Sequence, residues 1–392
     1  MIRLGQDIFW IGMNDRSTDL FEGIWPLPNG ISYNSYLIND RKKVLIDSVK
    51  ESYGGQLIDE ISKLVEPSEL DYVVVNHMEP DHSGTLRSIR RLAPEVEFIG
   101  TSKTKDMLKS YYGITEGIRV INDGEELDLG DKTLRFYETP FVHWPETMMT
   151  YLSDDGILFS CDAFGSFGVL NGGIFDDELD ISEYETESLR YFSNIVGTYT
   201  ATVQVALKKL ADLDIETIAP SHGPIWRENP EYIVDAYDRW SKMEGESGVT
   251  LVYGSMYGNT LKAAEEIVKG LRSAGCENFK MLDASRNHRS FLLAEAWRRK
   301  GLIVGAPTYD SGIYLPVKKF MDLLRKKQLK NRISAFFGSY GWGGGALKGM
   351  KSISEDLRWE VVSELEFEGS PGKEIITEAE KMGRTVAKKI MS

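Results

Sequence analysis

At 392 residues, with 42% apolar and 27% charged side chains, the chain has the composition of a folded globular protein. It exceeds the roughly 250 to 300 residues that one hydrophobic core supports, so two domains are expected. Its 46 Lys and Arg against 60 Asp and Glu give a net charge of −14, which repels a phosphate backbone and argues against a nucleic-acid partner. No apolar run approaches the roughly 18 residues of a membrane span, and the N-terminus lacks the apolar centre of a secretory signal. With two cysteines, Cys161 and Cys276, the chain cannot build a four-cysteine iron or zinc centre, and a cytoplasmic location is expected.

In chain order, short apolar strands are expected over 36–38 and 44–46, then a helix over 52–65. The run 71–76 is β-branched and apolar on both faces, as in a strand buried between layers. Strands follow over 133–138, 147–151 and 156–160, helices over 183–196 and 202–213, a strand over 217–219 and a helix over 231–242. The small, polar stretch Glu244-Gly245-Glu246-Ser247-Gly248 marks a domain boundary, giving domains 1–246 and 247–392. Beyond it, strands over 249–253, 279–282, 301–305, 333–337 and 359–367 alternate with helices over 260–274, 290–298, 315–325, 345–356 and 372–389. Five such units mean a doubly wound parallel sheet.

The chain has five histidines, and four fall in turn-like segments after apolar strands. His77-Met78-Glu79-Pro80-Asp81-His82 packs two imidazoles and two carboxylates into six residues. Two-residue alternation lets His77, Glu79 and Asp81 converge, with His82 approaching from the next turn. Such clustering is costly unless something cationic joins the groups. Further along lie His143 before Trp144-Pro145-Glu146, Asp162 after Ser160-Cys161, and His222 before Gly223-Pro224. A single histidine in a turn, such as His143 or His222, is by itself more often a structural hydrogen-bonding residue. Taken together, four nitrogens and three anionic oxygens approach the complement of a bridged pair of divalent ions. His288, among basic residues, is expected at the surface.

In the second half, Gly254-Ser255-Met256-Tyr257-Gly258-Asn259-Thr260 leads from a strand into a helix. Small and hydroxyl residues at a helix N-terminus form a phosphate cradle, and the spacing is neither that of a dinucleotide loop nor that of a nucleoside-triphosphate loop. A monophosphate fits better. Pro307-Thr308-Tyr309-Asp310 and Ser339-Tyr340-Gly341-Trp342-Gly343-Gly344 follow later strands at the same sheet end, where ligands of open α/β sheets bind. Tyr309 and Trp342 are placed to flank a flat ring.

The His-x-Glu-x-Asp-His run followed by His143, Asp162 and His222 resembles the metallo-β-lactamase superfamily, with Glu79 where the hydrolases carry a histidine. That exchange favours harder ions, iron over zinc. The pattern is similar to that of the flavodiiron proteins, and 249–392 resembles flavodoxin. The resemblance implies an αββα sandwich followed by a flavodoxin-like domain, with FMN and two irons as cofactors. It puts His77, Glu79 and His143 on one iron, Asp81, His82 and His222 on the other, and Asp162 between them. The activity it implies is reduction of O2 to water, or of NO to N2O, in a head-to-tail homodimer or a dimer of dimers. Electrons would come from a separate donor, rubredoxin or reduced coenzyme F420. A di-zinc hydrolase with an attached flavodoxin domain is the rival, and Glu79 argues against it.

Overall fold

The computed structural model describes residues 2–392. The chain divides into two compact units, the first ending at Asp238 and the second spanning Arg239–Ser392. That division falls within the helix Pro230–Ser241, earlier than the boundary expected after Glu246. The residues expected to form the linker instead begin a strand, Glu246–Tyr253, which pairs with Arg299–Tyr309 from Glu246 onward.

The first unit is built on a seven-stranded and a five-stranded sheet. One buried cluster contains Ile38, Ile46, Val74 and Ile99 from the larger sheet and Leu134, Phe136, Met148 and Phe159 from the smaller, so the sheets pack face to face. The central strand Tyr72–Val74 pairs in parallel with Lys43–Ile46 and Glu97–Gly100, which explains its continuous apolar character. It is shorter than the expected 71–76, because the Asp47 carboxylate takes up Asn76, accepting from its N–H at 2.8 Å and from Nδ2 at 2.9 Å.

Several strands carry no visible sequence signal, among them Ile8–Trp10, Met13–Asp15, Ile31–Tyr33 and Ile118–Val120. Runs of three residues are too short to show an alternation. The helix expected over 183–196 is α-helical over Ile181–Tyr191 and then widens into a π-helical turn, Phe192–Val196. Such insertions in helices are frequent at functional sites.

In the second unit, the strands Glu246–Tyr253, Phe279–Asp283, Arg299–Tyr309, Ile333–Tyr340 and Glu360–Glu368 form one parallel sheet in the order second, first, third, fourth, fifth. This is the doubly wound arrangement expected, and its crevice lies where the order reverses, between the first and third strands. The helices Asn259–Ser273 and Lys373–Met391 cover one face, burying Ile267, Leu271, Met382 and Val386 against Leu251, Ile303 and Ala335. His288 is exposed, as expected, and caps the helix Arg289–Arg298 by accepting from Ser290 N–H at 3.2 Å. No helix among the described residues is long and apolar enough to cross a membrane.

Candidate metal centre and flavin site

The seven candidate ligands selected from the sequence come together at one end of the two facing sheets. His77, Glu79, Asp81 and His82 follow Tyr72–Val74, His143 precedes Met148–Leu152, Asp162 follows Ile157–Cys161, and His222 follows Thr217–Pro220. Met148 N–H donates to Asn76 O at 3.0 Å and ties the two sheets together beside His77.

They fall into two groups, His77, Glu79, His143 and Asp162 in one and Asp81, His82 and His222 in the other. Asp162, fully buried, faces both. Its Oδ2 is 2.9 Å from His143 Nε2 and 3.5 Å from His77 Nε2, while its Oδ1 is 2.9 Å from His82 Nε2 and 3.5 Å from His222 Nε2. Glu79 Oε2 is 3.3 Å from His77 Nε2 and 3.2 Å from His143 Nε2. Asp81 Oδ2 is 3.3 Å from His222 Nε2, and its Oδ1 is 3.5 Å from His82 Nε2. Asp81 therefore does not converge with His77 and Glu79, as simple alternation suggested. A short helix, Pro80–Ser83, begins after Glu79 and carries Asp81 round to the other group.

Both oxygens of Asp162 and Asp81, both nitrogens of His82, and Nε2 of His143 and His222 are buried and have no hydrogen-bond partner among the described residues. Burying so many unsatisfied donors and acceptors is costly unless a cation joins them. Four imidazoles and three carboxylates converging in two groups fit two divalent ions with a shared carboxylate. The electrostatics agree. Burial alone would lower the His77 pKa, yet hydrogen bonds to Glu146 and Glu79 and the charge of Asp162 push it up to about 10. His143, also buried, is pushed up to about 10 by Asp162 and Glu79. A field that holds protons this firmly also attracts metal cations.

Three features near the ligands were not legible in the sequence. His77 Nδ1 lies 2.7 Å from the buried Glu146 Oε1, whereas His222 Nδ1 lies 2.7 Å from the Ser32 carbonyl. The rings of Phe21, Tyr33 and Tyr191 surround His222 at centroid distances of 5.6, 5.7 and 5.6 Å, and the buried Tyr191 hydroxyl has no hydrogen-bond partner among the described residues. Asp47, Phe141, Cys161 and Phe164 adopt positive φ of 53°, 64°, 55° and 68° beside the ligand loops. Non-glycine residues held this way cost free energy and gather at functional sites. Only Trp144-Pro145-Glu146, next to His143, offered a hint of one of them.

In the second unit, the three expected loops line one cavity of about 840 Å³. Ser255, Met256, Tyr257, Asn259, Thr260, Pro307, Thr308, Tyr309, Asp310, Ser339, Tyr340, Gly341, Trp342, Gly343 and Gly344 all contribute to its wall. Gly258 does not line it. Its φ of 92° lets the chain turn into the helix Asn259–Ser273, and its N–H donates to Ser255 Oγ at 3.0 Å. Ser311 and Gly369 also line the cavity without a sequence signal of their own, since Gly369 follows the fifth strand with no loop signature. Thr260 and Ser339 hydroxyls meet at 2.8 Å, joining the first and third of the expected loops. Trp342 is 100% exposed and Tyr257 93%, so neither has a packing role in its own unit. The cavity is of cofactor size, opens at a helix N-terminus and has aromatic flanks, which fits FMN.

Two family models match the chain, "ODP family beta lactamase" over residues 31–223 and flavodoxin over residues 251–383. The nitric oxide reductase of Moorella thermoacetica is 33% identical, over 99% of this chain and 98% of its own. Among solved structures, the rubredoxin oxygen:oxidoreductase of Desulfovibrio gigas superposes with a TM-score of 0.94 at 27% identity, covering 100% of this chain and 98% of the other. A variant of the flavo di-iron protein of Thermotoga maritima superposes with a TM-score of 0.91 at 31% identity, covering 99% and 98%. Both halves and their order agree with one family, whose cofactors are FMN and a pair of irons, and the chain belongs to the flavodiiron oxidoreductases.

Proposed function

We propose that this protein is a flavodiiron oxygen reductase that converts O2 to water with four electrons and four protons, the electrons entering through FMN. The observation that carries this reading is the pair of buried ligand groups sharing Asp162, each of whose oxygens faces one group. His77, Glu79 and His143 would hold one iron and Asp81, His82 and His222 the other, with Asp162 available to both. When bound, such a metal pair would supply redox chemistry toward the gas, with FMN as the source of its electrons.

The chain's own part is to fix the ligand set, to exclude bulk water and to hold the FMN. Phe21, Tyr33 and Tyr191 wall the His222 side with aromatic rings, which favours an apolar diatomic gas over charged competitors. Ser255–Thr260, at the helix N-terminus, would hold the FMN phosphate, and 307–310 and 339–344 would flank its ring. Whether the boundary is set after Asp238 or at the limits 1–246 and 247–392, every candidate metal ligand falls in the first domain and every FMN-loop residue in the second.

A second reading, reduction of two NO to N2O and water with two electrons and two protons, is favoured by the name of the Moorella relative. The separate electron donor is rubredoxin, as the name of the Desulfovibrio gigas neighbour suggests, or reduced coenzyme F420. The working form is a cytoplasmic head-to-tail homodimer, or a dimer of dimers, in which each FMN serves the partner's metal centre. The exposed Trp342 and Tyr257 beside the cavity support a covered surface there.

Anaerobic stopped-flow of the reduced, iron-loaded protein against O2 and, separately, NO tests both readings. Rapid flavin reoxidation by O2 with water as product supports the first, and preference for NO with N2O released supports the second. Reoxidation by neither gas, together with zinc as the native metal, favours the hydrolase rival.

A further inference from the structure

The two metal groups have the same complement: two imidazole nitrogens, one carboxylate of their own and one oxygen of Asp162. What stands behind the imidazoles differs. His77 Nδ1 donates to Glu146 Oε1 at 2.7 Å, and the same oxygen accepts from Met78 N–H at 2.9 Å. Glu146 and His77 are both buried, with 1% and 0% of their surface exposed. The Glu146 segment is itself held, since its carbonyl accepts from Thr101 Oγ1 at 3.2 Å. In the second group His222 is backed by a neutral carbonyl, Ser32 O, and neither nitrogen of His82 has a hydrogen-bond partner among the described residues.

We infer that Glu146 is a positioning residue that makes the His77, Glu79 and His143 group the tighter of the two metal sites, so that it takes the first divalent ion. Its hydrogen bond keeps the proton on His77 Nδ1 and leaves the Nε2 lone pair directed at Glu79 and Asp162. Its negative charge makes that nitrogen a stronger donor, whereas a carbonyl fixes a tautomer while adding less basicity. The second group, with a neutral backing on one imidazole and none on the other, fills later. This inference rests on the ligand assignment proposed above.

The test is anaerobic Co(II) titration of the metal-free, FMN-loaded full chain, followed by visible absorption and calorimetry, for the wild type and for Glu146→Gln. The amide in that variant retains an acceptor oxygen of the same reach but carries no charge. The wild type is expected to bind two Co(II) in two resolved steps. The variant is expected to weaken the tighter step by about 10- to 100-fold and leave the weaker step unchanged. A Glu146→Asp variant, which restores the charge on a shorter arm, is expected to recover part of the tighter step. The inference is overturned if the wild type fills in one unresolved step, if Glu146→Gln weakens both steps equally, or if it weakens neither. Failure of the wild type to bind two Co(II) would overturn the ligand assignment as well, and so separates the two failures. Thermal melting of the metal-free forms distinguishes loss of folding, which would lower both steps together.

Discussion

Asp162→Asn is the most informative single substitution, because among the described residues Asp162 alone faces both candidate ligand groups. An ion at 1,000 times its dissociation constant stabilises the folded state by about 4 kcal/mol, so two ions contribute about 8 kcal/mol. For a unit of this size each kcal/mol moves the melting temperature by about 2–4 °C, so full metal loading is expected to raise it by about 16–32 °C. The variant replaces one buried anionic oxygen by an amide NH2 that cannot ligate, and loss of a buried charged partner is worth about 3–5 kcal/mol. The metal-induced rise should then fall to about half. Calorimetric melting of the metal-free and metal-loaded forms of both proteins measures this, with the metal-free pair as the control for folding. An equal rise in both would refute the argument that Asp162 serves two ions.

Four other outcomes follow from named contacts. Glu79→His replaces a hard oxygen donor by a nitrogen, so zinc should displace iron in metal analysis and gas-driven flavin reoxidation should be lost. Tyr191→Phe removes a buried hydroxyl without a partner, so the melting temperature should hold or rise, a gain of about 1 kcal/mol, while a fall in reoxidation rate would reveal a role for the hydroxyl toward substrate. Arg332, 1% exposed, donates to the carbonyls of Ala296, Trp297, Met243, Lys330 and Asn331, and Arg332→Leu should cost about 3 kcal/mol in urea unfolding of the second unit. A loss below about 1 kcal/mol would show that those carbonyls find other donors. Gly258→Ala strains a backbone held at φ 92°, and the FMN dissociation constant from fluorescence titration should rise about 5- to 30-fold as the loop relaxes.

The sequence by itself picked out the seven candidate ligands that the fold gathers and the three loops that line the second unit's cavity, because each sits directly after a strand or beside a compact, chemically unusual run. His77, Glu79, Asp81 and His82 lie within six residues, and Gly258 and Trp342 lie in loops whose composition serves a turn or a ligand better than a core. It also determined the parallel second unit, whose strands and helices are long enough for their periods to show. Tertiary structure decided how the ligands divide. Asp81 joins His82 and His222 because a helical turn at Pro80–Ser83 replaces two-residue alternation, a local choice that the spacing of polar residues did not reveal. It alone brought Glu146 to His77 across 69 positions, the Ser32 carbonyl to His222 across 190, and Tyr191 to the same imidazole. Ligands gather at strand ends, where sequence neighbours stay neighbours, whereas the groups that back and enclose them come from whichever loops the sheets bring to that edge, and only the packing of the two sheets fixes which loops those are.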